Sequence, residues 1–157
     1  MKPSDLIETA RDLTRAKSGK PRQASLRRAT SAIYYALFHC LARTCADMVV
    51  GGRGADRSKS AWRQAYRALQ HGSAKRRCQN RKMVNDFPVA IQDFAGMFVE
   101  MQDKRHRADY DPDEVSYKSE VLEDIDEAED VLSRFQKVPV KYRRAFAVYV
   151  LLELRKD

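Results

Sequence analysis

Apolar residues recur at steps of three and four along most of the chain, the spacing that places them on one face of an α-helix. Leu6, Ala10 and Leu13 form the first stripe and predict a helix from about Ser4 to Lys17. Ser4 suits its N-cap, and Asp5 and Glu8 suit the positive end of its dipole. "SGKP" interrupts that helix and Pro21 is placed to open the next. The second helix, about Pro21 to Met48, holds no glycine and no further proline. One stripe on it reads Leu26, Ala29, Ile33, Leu37, Cys40, Leu41, Thr44, Met48, and a second reads Arg28, Ala32, Tyr35, His39, Arg43. Tyr34 and Phe38 lie on a third side. Between Ala29 and Ala42 the helix is apolar nearly all round, which predicts burial inside a bundle or between two subunits.

"VVGGRGADRSKS" then reads as a glycine-rich loop. Its glycines do not fit G-x-x-x-x-G-K-[ST] and no strand precedes them, which argues against a phosphate-cradling P-loop. A third helix, about Lys59 to His71, carries Trp62, Ala65, Tyr66 and Leu69, with Gly72 as its stop and His71 as a capping residue. "SAKRRCQNRK" is a basic segment flanked by helices, and Arg76, Arg77, Arg81 and Lys82 are its candidate phosphate-binding cations. A fourth helix starts near Asp86, with Phe87, Ile91, Phe94, Phe98 and Met101 on its core side. One more step of four lands on Arg105. A guanidinium on that stripe requires an internal partner, a subunit contact or a bound anion, because a lone buried charge is too costly. Ser116 is placed to cap a fifth helix reaching about Lys137, with Val121, Ile125, Ala128, Leu132 and Phe135 on its core face. Pro139 opens a last one bearing Ala145, Phe146, Tyr149 and Leu152. The pattern predicts an all-α fold, an antiparallel bundle of five to six helices.

Composition sharpens this in three ways. A chain of 157 residues, 43% hydrophobic and 33% charged, suits one folded domain with a single core. Its apolar stretches fall well short of the roughly 20 residues that span a bilayer, and its N-terminus is amphipathic where a signal peptide would be apolar. A cytoplasmic protein that engages no membrane is the expectation. Cys40, Cys45 and Cys78 form an odd set without C-x-x-C spacing, so they read as reduced, partly buried thiols. His39, His71 and His106 never repeat at i, i+4, and neither metal nor cofactor is expected.

The net charge of +8 is unevenly placed. Residues 1–82 hold 19 Lys and Arg against 5 Asp and Glu, whereas residues 83–157 hold 11 against 17. Such asymmetry fits a basic face for nucleic acid, head-to-tail docking of two copies, or simple solubility.

The helix "RRATSAIYYALFHCLA", followed further along by "RHRADY" at the end of a core helix, resembles the HEPN superfamily. The likeness is to small prokaryotic members with an Arg-x-x-Ala-Asp-Tyr motif. It covers roughly residues 4 to 137, so the resemblance divides the chain into a HEPN-like bundle, 1–137, and a helical extension, 138–157, packing on the same domain. It implies a homodimer, with Tyr34, Tyr35 and His39 on the dimer or core helix. It also implies RNA as the object of action, through a toxin-like, metal-independent endoribonuclease, and a nucleotidyltransferase antitoxin as partner. In the family an arginine, four to six residues and a histidine form the catalytic signature. The imidazole moves a proton for the ribose 2′-hydroxyl or the leaving oxygen, and the arginine holds charge developing on the phosphate.

By position, Arg105 matches that arginine, but Tyr110 stands where the histidine belongs. His106 is adjacent to Arg105, and no histidine follows it. A tyrosine, with an ordinary pKa of about 10, is a poor base at neutral pH. Two readings of the tip are open. In one, Arg105 and Asp109 form an ion pair and the Tyr110 ring closes the bundle. In the other, Arg105 binds phosphate while Asp109, Tyr110 or His106 share proton transfer. The corresponding functions are an RNA-cleaving enzyme and a non-catalytic module that binds nucleotide, RNA or a nucleotidyltransferase partner.

Overall fold

The computed structural model describes residues 1–15 and 18–156. Among them the chain forms eight helices and no strand: α1 (Pro3–Leu13), α2 (Gln23–Val49), α3 (Lys59–Ala68), α4 (His71–Gln79), α5 (Arg81–Val84), α6 (Val89–Tyr110), α7 (Lys118–Gln136) and α8 (Val140–Leu151). None is long and apolar enough to cross a membrane. α2 lies at the centre, with α1, α3, α6, α7 and α8 packed around it. Its Ile33, Tyr34, Leu37 and Leu41 are fully buried, as are Phe94, Phe98 and Met101 of α6, Ile125 and Phe135 of α7, and Phe146 of α8. Each such side chain contributes about 1.5–3 kcal/mol through area removed from water. Most of the apolar surface of α2 is therefore covered within one chain, with Tyr35 and Phe38 left half-buried. Phe94 stacks on Phe135 at 4.2 Å between ring centroids, and Phe146 stands edge-on to both. α8 thus shares the core of the other helices.

The bundle has more helices than the five or six expected, because the stretch from Lys59 to Val84 is broken twice. Leu69 and Gln70 are extended, at φ −66°, ψ 123° and φ −113°, ψ 140°. Both Leu69 and Ala74 are buried, yet a step of five cannot keep them on one face of one helix. The chain therefore leaves α3 and restarts. His71 opens α4 instead of capping α3, and Gly72 lies inside α4 instead of stopping a helix. The basic segment is itself helical, forming α4 and α5, with the Asn80 side chain accepting from Met83 N to cap α5.

The ends differ too. α1 is preceded by Lys2 as N-cap, and Ser4 reaches only Asp5, at 3.5 Å. Lys17, the expected end of that helix, lies outside the described residues. Tyr117, not Ser116, precedes α7. Ser116 instead exchanges two hydrogen bonds with Gln23 of α2: its N–H donates to Oε1 at 2.9 Å and its carbonyl accepts from Nε2 at 2.8 Å. Next to it, the Arg27 guanidinium donates to the carbonyls of Ala108, Asp111, Pro112 and Glu114. The last carbonyls of a helix lack partners of their own, so Arg27 caps α6 from a different helix. All three cysteines are buried free thiols, and burial pushes each up to about 12.

Midway along the α6–α7 seam, Lys104 Nζ meets Asp124 at 2.9 Å and Glu100 at 3.1 Å. The Asp124 side chain is 9% exposed, and burial raises its carboxyl above the usual range against the pull of Lys104. Burial also works against the Lys104 ammonium, but Asp124 and Glu100 outweigh it and hold that group above its ordinary value. Lys104→Met leaves a buried carboxylate uncompensated. The expected cost at pH 7 is about 2 kcal/mol, below the full buried-pair figure because Lys104 is partly in solvent. Asp124 then titrates still higher in the folded state, so its penalty is absent at low pH and grows as pH rises past the ordinary carboxylate range. Urea melts of both proteins at pH 4 and pH 7 check this: the deficit should be smaller at pH 4.

Candidate functional site

The apolar stripe of α6 ends by carrying Arg105 onto α2. Its side chain is 13% exposed, and the guanidinium carbon stands 5.0 Å from the Tyr34 ring centroid and 5.8 Å from that of Tyr35. Rings at that range attract a cation through their quadrupole. Among the described residues the guanidinium has one carboxylate partner, Asp109 one turn on, at 3.5 Å, and Arg105 Nε, which is buried, has no hydrogen-bond partner. Asp109 in turn accepts a 2.6 Å hydrogen bond from Ser31 Oγ of α2.

Behind the rings lies a histidine. Tyr34, fully buried, shares a 2.6 Å hydrogen bond between its hydroxyl and His71 Nδ1. His71 stacks on Phe38 at 4.1 Å and 17°, and its carbonyl accepts from Gln102 Nε2 of α6 at 3.2 Å. Burial raises the Tyr34 hydroxyl far above its ordinary range, so it keeps its proton, and its oxygen accepts from Nδ1–H in the tautomer that leaves Nε2 unprotonated. Among the described residues Nε2 of His71 has no partner. Burial first, then the charge of Arg105, then His39, lower the His71 pKa, which leaves a neutral imidazole at pH 7. His39 is bonded through Nδ1 to the Tyr66 hydroxyl, and burial, the chain's N-terminal ammonium and Arg43 lower it likewise.

Arg105, Asp109, Tyr34, Tyr35 and His39, all singled out by sequence, thus belong to one neighbourhood. His106 and Tyr110 do not. Their rings lie 5.0 Å apart on the outer side of the tip, and Tyr110 is 69% exposed. A step of five from Arg105 turns it away from the core stripe, so it closes nothing. The four basic candidates are also dispersed. Arg76 reaches Glu153 at 3.4 Å, and Arg77 lies over Tyr149 at 5.6 Å with its carbonyl accepting the tyrosine hydroxyl. Arg81 and Lys82 are exposed on α5, beyond the end of α4 that is remote from His71.

Sequence reasoning missed His71 as a site residue, along with Ser31 and Arg27. The signal for His71 was present in the out-of-phase pair Leu69 and Ala74, which forces a new helix to begin beside it. Among the described residues no cluster of His, Cys, Asp and Glu is built to hold a metal ion. No family model, curated protein or solved structure matches the chain.

The Arg105–His71 coupling is directly measurable. A proton titration of His71 followed by NMR should give a midpoint below 6.5, and Arg105→Ala should move it upward by removing one of the charges that depress it. A histidine depressed by folding gives stability that is present above its unfolded pKa and lost as pH falls through the folded one. Melts should therefore show stability falling below about pH 6.5, less steeply in His71→Phe. An unmoved His71 midpoint in the Arg105 variant would separate the two groups.

Proposed function

We propose that this chain is a HEPN-like domain that acts on RNA, with Arg105 as the ligand of the scissile phosphate. One observation supports this above the rest: a guanidinium held between a helix core and two tyrosine faces keeps a buried Nε–H without a partner and a single carboxylate at 3.5 Å. Charged hydrogen-bond donors left unused in a dry place are costly, and a phosphate oxygen is a fitting occupant.

In this reading His71, not Tyr110, supplies the imidazole missing from the motif. In the tautomer whose Nδ1–H donates to the Tyr34 oxygen, Nε2 of its neutral ring accepts the proton of a ribose 2′-hydroxyl as that oxygen attacks the adjacent phosphorus. The bond to the 5′ oxygen breaks, that oxygen leaves with the electron pair and takes a proton from water, and Arg105 balances the charge gathering on the non-bridging oxygens. Because the nucleophile belongs to the substrate, the step requires no metal. Action as a cytoplasmic homodimer with a nucleotidyltransferase antitoxin follows from the HEPN resemblance. Two observations favour the second reading, a binding module that holds RNA or nucleotide without cutting: Tyr110 is turned to solvent, and Asp109 is engaged by both Ser31 and Arg105.

Purified protein is incubated with mixed RNA in excess chelator beside Arg105→Ala and His71→Ala. Cleavage by the native chain and a loss of about 100-fold or more in each variant is the expected result. Equal digestion by all three, or by none, removes the enzyme. The binding module then predicts that Arg105→Ala still weakens RNA affinity.

A further inference from the structure

The rings beneath Arg105 continue away from it. Tyr35 lies 6.2 Å from His39, His39 is near-parallel to Tyr66 at 5.9 Å, and Tyr66 lies 5.3 Å from Trp62. The guanidinium of Arg57 then covers Trp62 at 5.0 Å. Every member of this row is half-buried, neither sealed in the core nor free of it. At its far end a pocket of about 200 Å³ is lined by Arg43, Arg53, Arg57, Trp62 and Asp47. Asp47 is the only acid there and is already taken by Arg57 at 3.3 Å and Trp62 Nε1 at 2.8 Å.

α3 adds a rim. Its buried face carries Ala65, the half-buried Trp62 and Tyr66 come next around the helix, and Lys59, Arg63 and Arg67 come after them. Those three are exposed, stand at i, i+4 and i+8, and share their helix with no Asp or Glu. The row of rings therefore has arginines at both ends and a cationic ridge along one side. An acidic protein surface would match the ridge but leave the rings without flat partners. A strand of unpaired nucleotides uses both features, phosphates on the cations and bases against the rings.

We propose that this row is the track of a single-stranded RNA, with phosphates on Lys59, Arg63 and Arg67, bases against His39, Tyr66 and Trp62, and the strand leading to Arg105. The inference rests on the RNA reading above and names its substrate as unpaired rather than duplex. It also moves the phosphate contacts from Arg76, Arg77, Arg81 and Lys82 to α3.

The test is fluorescence anisotropy with a labelled mixed-sequence RNA of about 15 nucleotides, single-stranded and as a duplex, at several salt concentrations. Four proteins are compared: native, Arg105→Ala, Lys59→Glu/Arg63→Glu/Arg67→Glu, and Arg76→Glu/Arg77→Glu/Arg81→Glu/Lys82→Glu. Circular dichroism confirms folding, and a Gln version of the α3 triple replaces the Glu version if needed. The native chain should prefer the single strand. The α3 triple should lose about tenfold or more in affinity, and its salt slope should fall by about 2, as three lost phosphate contacts require. The α4–α5 quadruple should bind nearly as the native chain does. Native-like binding by the α3 triple overturns the track alone, as does transfer of the loss to the quadruple; the RNA reading then stands on the Arg105→Ala result. Absence of any RNA binding by the native chain overturns both. A native sedimentation mass of two chains that falls to one in the triple, without RNA affinity, assigns the ridge to a second copy and overturns the track.

Discussion

Between Ala29 and Ala46, α2 buries side chains around most of its circumference, with Tyr35, Phe38, His39 and Arg43 half-buried along the remaining side. Five helices supply that burial, and their order around α2 fixes where everything else can lie. On most sides the closure is apolar, with Phe94, Phe98, Phe135 and Phe146 as the large pieces. Beside Tyr34 and Tyr35 it is made by Arg105 and His71. The site is thus the place where the enclosure of α2 is completed by polar groups, and the aromatic faces of α2 are what make a guanidinium tolerable there.

Two adjacent residues of α6 show how unusual that arrangement is. Lys104 has two carboxylates within 3.1 Å and its charge is answered inside the fold. Arg105, one residue on, has among the described residues a single carboxylate at 3.5 Å and a buried nitrogen with nothing to donate to. Both are cations in a helical interior, but only the lysine is fully accounted for by the bundle. After burial, the charge of Arg105 is the next cause that lowers His71, so the arginine shapes the chemistry of the imidazole without touching it.

Long amphipathic stripes were readable from residues alone. The steps from Phe87 to Arg105 and from Val121 to Phe135 became α6 and α7, because a repeated apolar spacing admits one buried face and little else. The segment between α3 and α6 was not readable in the same way. There the local cue was Gly72, taken as a stop, whereas open space surrounds the position a Cβ would occupy and nothing requires a glycine. What decided the break was burial of Leu69 and Ala74 against other helices, a tertiary demand that local spacing only hints at. Folding also redistributes charge in ways that local density does not show. "SAKRRCQNRK" is the densest basic stretch, yet folding spends Arg77 on Tyr149 and points Arg76 at Glu153. The sparser Lys59, Arg63 and Arg67 remain aligned and exposed because one helix face presents them together.

Arg27 and Ser31 stand one turn apart on α2 and both grip the C-terminal end of α6, Ser31 through the Asp109 side chain and Arg27 through the carbonyls of Ala108 and Asp111. Helix ends ordinarily fray, and a site placed on one inherits that looseness. Here the terminal turn is clamped from outside, so Arg105 and Asp109 keep their geometry although they sit close to a loop. Any displacement of that turn must therefore pass as a shift of two joined helices rather than as an unwinding of one.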